Sequence, residues 1–108
     1  MAHISVLLNE VIEALKPCIH PDSRLIDGTL GAGGHTHALL LAGFSQALGL
    51  DLDQQAITLA REKLNPFGEQ VHIRQASYLE MTAQASAIGW DAADAILLDL
   101  GVSSMQLD

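Results

Sequence analysis

Short apolar stretches alternate with helix-patterned stretches along this chain, and that alternation restricts the architecture more than any other feature. Arg24-Leu25-Ile26-Asp27 reads as a strand running into Gly28, and Gly31-Ala32-Gly33-Gly34 then opens a helix through about Ala42, closed by Gly43. Gln46–Leu50 is a second strand stopping at Asp51. Asp53 caps a helix that holds Ala56, Ile57, Ala60 and Leu64 on one side, with Asn65-Pro66 as its stop. Val71–Arg74 is a third strand, Tyr78–Ile88 a helix ending at Gly89, and Asp94–Asp99 a fourth strand. Ser5–Leu15 precedes them as a helix that Pro17 closes, and Leu100–Asp108 follows as a polar loop. Such order predicts an α/β fold, a partial doubly wound parallel sheet of about four strands with helices on both faces. Ala95-Ile96-Leu97-Leu98 is continuously apolar, as expected of a strand buried on both sides.

Composition narrows the setting. The 108 residues are 49% hydrophobic and 17% charged, which is globular rather than disordered. No apolar run approaches the roughly 20 residues of a bilayer span, no basic region precedes an apolar run at the amino terminus, and Cys18 is the single cysteine. These features point to a cytoplasmic protein without membrane contact. The formal charge is −8, with 13 acidic against 5 basic residues, so this segment does not by itself attract phosphate backbones.

Asp27-Gly28-Thr29-Leu30-Gly31-Ala32-Gly33-Gly34 lies between a strand and a helix, where open α/β sheets bind ligands. A dinucleotide fingerprint fails, because the sixth position from Gly31 is Thr36, and no Gly-Lys-Ser/Thr follows to make a phosphate loop. The spacing of Asp27, Gly31 and Gly33 instead resembles motif I of S-adenosylmethionine-dependent methyltransferases, with Thr29 in the first glycine position. The same glycines would also serve tight strand–helix packing, without a ligand. Asp51, at the end of the second strand, is placed to accept hydrogen bonds from ribose hydroxyls; a second capping residue is the other reading. His35 and His37, two apart at a helix start, do not converge on one metal. His3, His20 and His72 read as surface or satisfied histidines, and Cys18 as a buried or inert thiol.

Three strings carry a stronger resemblance: His3-x-x-Val6-Leu7-Leu8-x-Glu10, Asp27-Gly28-Thr29-Leu30-Gly31-Ala32-Gly33-Gly34-His35, and Leu97-Leu98-Asp99-Leu100-Gly101-Val102-Ser103-Ser104-Met105-Gln106-Leu107-Asp108. Together they resemble the bacterial small-subunit (16S) ribosomal RNA cytosine-N4 methyltransferases, the MraW-type family. The resemblance implies a Rossmann-like, class I methyltransferase domain of which residues 1–108 form the amino-terminal part, with an inserted helical domain and the remaining strands absent. It implies S-adenosylmethionine as cofactor, contacted by Gly33, Gly34, His35, Asp51, Tyr78, Asp99 and Gln106. Asp99 would also shape the methyl-transfer site. Tyr78 stands where phenylalanine is usual, and Met105 where proline is usual. The implied partner is small-subunit ribosomal RNA, docked mostly outside this segment. A catalytically inactive S-adenosylmethionine-binding fragment is the alternative, and the fourth strand, left at an edge, is expected to self-associate.

Overall fold

The computed structural model describes residues 2–99, with side chains from residue 8 onward. Helix α1 spans Ala2–Leu15 and continues into a 3-10 turn at Lys16–Cys18 that carries Pro17. Strand β1 (Arg24–Asp27) leads to α2 (Gly34–Ala42), β2 (Gln46–Asp51) to α3 (Gln54–Leu64), and β3 (Val71–Gln75) to α4 (Met81–Ala87) before β4 (Ala95–Leu97). All pairings are parallel, in the order β3-β2-β1-β4. The expected sheet is therefore the observed one.

Successive side chains of each strand serve opposite faces. Leu25 and Ala47 join Leu39, Leu40 and Phe44 of the α2 region and Ile57, Ala60 and Leu64 of α3 in one cluster. Ile26, Leu48 and Leu50 pack on the other face against Ala85 and Trp90. Burial on both faces explains the consecutive apolar residues at the middle of β1 and β2, Leu25-Ile26 and Ala47-Leu48. Val11, Ile12 and Leu15 lay α1 against the first cluster, where half-buried Cys18 also packs.

Local chemistry sets the ends of these elements. Gly43 has φ of 130°, and its N–H donates to the carbonyls of Leu39 and Leu40, closing α2 as the sequence predicts. The Asp53 side chain accepts the Gln55 N–H at 2.9 Å and caps α3. The stretch expected as one helix, Tyr78–Ile88, is instead a 3-10 turn over Tyr78–Glu80 followed by α4. Ser77 and Glu80 form a reciprocal capping box around that turn, which tightens it.

The fourth strand departs most from expectation. Asp94–Asp99 reduces to Ala95–Leu97, with Asp94 tied to Arg24 at its entrance and Asp99 turned out of the ladder at its exit. Asp94 donates its N–H to the Arg24 carbonyl and accepts the Arg24 N–H at 2.7 Å, while its other oxygen meets His20 Nε2 at 2.8 Å. That pairing also satisfies His20, and it holds the Asp94 carboxyl below the usual carboxylate range. Beyond Leu97, the Asp99 N–H turns to donate to Thr29 Oγ1. Burial on both sides is not observed: Ile96 is 51% exposed and Leu98 39%. β4 is the sheet margin among the described residues, so a sequence suited to an interior strand stands partly open.

Candidate functional site

At the carboxyl ends of the strands the chain builds a glycine loop and two clefts beside it. The loop starts from Asp27, whose carboxylate is only 1% exposed. Its Oδ2 accepts the Thr36 hydroxyl at 2.7 Å and its Oδ1 accepts the Thr29 N–H at 3.2 Å. Asp27 thus ties the first turn of α2 to β1 and does not face solvent. Burial pushes its pKa up, against the opposing pull of the Thr36 hydroxyl, the Thr29 N–H and the charge of His35. A raised folded-state pKa means the native state holds a proton that the unfolded chain releases. Stability attributable to Asp27 therefore falls as pH rises from the ordinary carboxylate value toward the raised one, by about 1.4 kcal/mol per unit of elevation. Asp27→Asn lacks this titration. Denaturant midpoints across a pH series are expected to shift in favour of the variant as pH rises through that window, and a constant difference would contradict the buried charge.

The loop then folds over β2. The Leu30 N–H donates to the Leu50 carbonyl, and the buried Leu30 side chain fills the space above Gly49, where a Cβ would come within 2.6 Å of it. Asp51 ties two segments together: Oδ2 accepts the Gly31 N–H and Oδ1 the Asp53 N–H, each at 2.8 Å. Asp51 thereby tethers the glycine loop to the turn before α3, whose cap is Asp53, while each oxygen keeps a lone pair for another donor.

The glycines divide by role. Gly33 has φ of 90°, and a Cβ there would meet Leu64 at 3.3 Å and Ala60 at 3.4 Å, on α3. Its lack of a side chain lets α2 and α3 pack closely, the packing role that the sequence also allows. A Cβ at Gly31 or Gly34 meets nothing within 4 Å, so the open side of the loop lies there. Gly28 lets three segments converge: a Cβ would collide with Leu98 and lie 2.8 Å from the Cβ of Tyr78.

The first cleft, about 190 Å³, is lined by Gly28, Thr29, Asp51, Leu52, Ser77 and Tyr78. The second, about 490 Å³, lies between α1 and the end of β4 and is lined by Glu10, Val11, His35, Leu97, Leu98 and Asp99. The structure brings Asp51 together with Tyr78, and His35 together with Asp99; the bond from Asp99 to Thr29 links the two clefts. Gln106 lies outside the described residues. His37 turns away and meets Phe67 edge-on at 5.4 Å. Sequence reasoning did not assign Glu10 a place here, although the His3–Glu10 string was the signal that contained it.

A family model described as the MraW methylase family matches residues 1–108. The ribosomal RNA small subunit methyltransferase H of Maridesulfovibrio salexigens is 50% identical over 108 residues, covering 98% of this chain and 33% of that protein. The chain thus spans about a third of the length of this relative. A Streptococcus mutans structure in complex with SAH aligns with a TM-score of 0.69 at 21% identity, over 87% of this chain and 51% of that one. An rRNA methylase structure from Streptococcus thermophilus aligns at 0.62 with 18% identity, over 69% and 45%. These structural likenesses show the Rossmann-like methyltransferase fold.

Proposed function

Because the chain belongs to the MraW methylase family, we propose that it supplies the S-adenosylmethionine-binding part of an enzyme that methylates the N4 amine of a cytosine in small-subunit ribosomal RNA. The observation that carries this reading is the placement of Asp51 with Tyr78 in one cleft, and of His35 with Asp99 in the adjoining one, around a single glycine loop. The residues fit an elongated nucleoside–amino acid cofactor. Asp51 retains lone pairs for ribose hydroxyls, Tyr78 offers a ring face for adenine, and the loop is open at Gly31 and Gly34. The N–H groups in the first turn of α2, at Gly34 and His35, suit the anionic end of the amino-acid portion. Gly33 serves this site by setting the loop, and Gln106 enters by family resemblance alone.

When bound, the cofactor supplies a methyl group on an electrophilic sulfonium. The amine of cytosine is a poor nucleophile, because its lone pair is delocalised into the ring. Asp99, at the end of β4, accepts from the amine and draws that lone pair out of conjugation, stabilising the developing positive charge. The base must be splayed from its stack to reach this cleft. With a net charge of −8 on this chain, RNA docking is assigned to basic surface outside residues 1–108.

Calorimetric titration of the purified chain with S-adenosylmethionine and with NAD, followed by methyl-transfer assays on small subunits, tests this reading. Binding of the first ligand and not the second is expected, with no turnover by the 108-residue chain alone and turnover by a full-length relative. Preferential NAD binding would overturn the assignment. The open margin at Ile96 and Leu98 is further expected to make the isolated chain self-associate. Sedimentation should then depend on concentration, and a monomer throughout would show that the margin is covered.

A further inference from the structure

We infer that Glu10 of α1 reads the exocyclic amine of the acceptor base and so sets a preference for cytosine over uracil, an inference that rests on the site proposed above. Glu10 lies on the face of α1 that lines the larger cleft, beside Val11, whose packing against the core fixes the orientation of that face. The same cleft is lined by His35 in the first turn of α2 and by Asp99 just beyond β4. The cleft therefore has an apolar wall, built from Val11, Leu97 and Leu98, and a carboxylate on each of two different elements. Its volume, about 490 Å³, suits a small planar ring. Glu13, the next acid on the same helix, pairs with Lys16 at 3.2 Å on the exposed surface and does not line the cleft.

The chemistry of this pair selects one kind of base. An ionised carboxylate is an acceptor only. The exocyclic amine of cytosine offers two N–H donors, one for each carboxylate, whereas uracil presents a carbonyl oxygen that both would repel. An apolar wall alone discriminates weakly between two rings of the same shape, so the discrimination falls to the carboxylates. Asp99 is already placed by its backbone bond to Thr29 and acts on the amine during transfer. Glu10 adds recognition from a second element, a helix that packs against α2 and precedes the strand–loop–helix units of the cofactor site.

The test uses the chain saturated with S-adenosylhomocysteine and titrated with cytidine or uridine, followed by amide chemical shifts at His35 and Asp99. Wild type is expected to favour cytidine by about ten-fold. Glu10→Gln, whose amide can both donate and accept, is expected to lower that ratio to about three-fold, the part Asp99 retains, and to leave S-adenosylhomocysteine affinity within about two-fold. Since Glu10 is exposed, the variant should keep its fold, which its melting temperature verifies. Three results would overturn the inference: an unchanged ratio in Glu10→Gln, no preference in wild type, or a loss of S-adenosylhomocysteine affinity, which would place Glu10 at the cofactor. Failure of wild type to bind S-adenosylhomocysteine at all would reject the cofactor reading itself, and the role of Glu10 with it.

Discussion

Gly33→Val is expected to cost about 2–4 kcal/mol of folding stability, because a β-branched side chain is forced into a left-handed conformation and into a closed helix contact at once. The backbone at Gly33 has φ of 90°, and the new Cβ would lie 3.3 Å from Leu64 and 3.4 Å from Ala60. Both neighbours are buried, so neither has free space to move into. Urea midpoints measure the loss, and a variant as stable as wild type would show that α2 and α3 can separate at little cost. Gly34→Ala is the matched control. Its Cβ meets nothing within 4 Å, so stability should hold or rise slightly, while any backbone approach by a ligand is obstructed. Reduced S-adenosylmethionine affinity in that variant, with the fold intact, is the expected signature.

Asp51→Ala is expected to lower S-adenosylmethionine affinity by about 10- to 100-fold, the equivalent of 1–3 kcal/mol for a lost acceptor with charge. Two effects combine. The ribose hydroxyls lose their acceptor, and the loop loses the tethers at Gly31 and Asp53, each 2.8 Å long. Asp51→Asn separates them: it keeps one acceptor oxygen for a loop N–H but sets an amide against the other, so an intermediate affinity is expected. Calorimetry on the folded variants provides the measurement, and affinity equal to wild type in Asp51→Ala would remove Asp51 from the site.

The elements were legible in the sequence wherever short-range chemistry decides them. Gly43 and Asp53 sit where a left-handed closure and a side-chain cap are needed, and α2 and α3 end and begin there. The apolar strands β1 and β2 alternate between two buried faces, which a run of Leu, Ile and Ala can satisfy without polar interruption. Parallel order followed from strand–helix alternation, because a parallel pair requires a crossover.

Long-range contacts decided the rest. The length of β4 depended on Asp94 bonding to Arg24 and His20, and on Asp99 bonding to Thr29, partners about seventy residues away that no local pattern names. That Gly33 also faces a neighbouring helix could not be read from its spacing to Asp27; only the position of α3 shows that a Cβ there would meet Leu64 and Ala60. Asp27 and Asp51 look alike as acids ending adjacent strands. Only the fold buries the first under Thr36 and leaves the second half-buried at a cleft, because the helix after β1 closes over Asp27 while Asp51 stands at the rim where two loops meet. Glu10 shows the same limit: its position in the sequence marks a helix face, and only the packing of α1 against α2 brings that face to the cleft that Asp99 also lines.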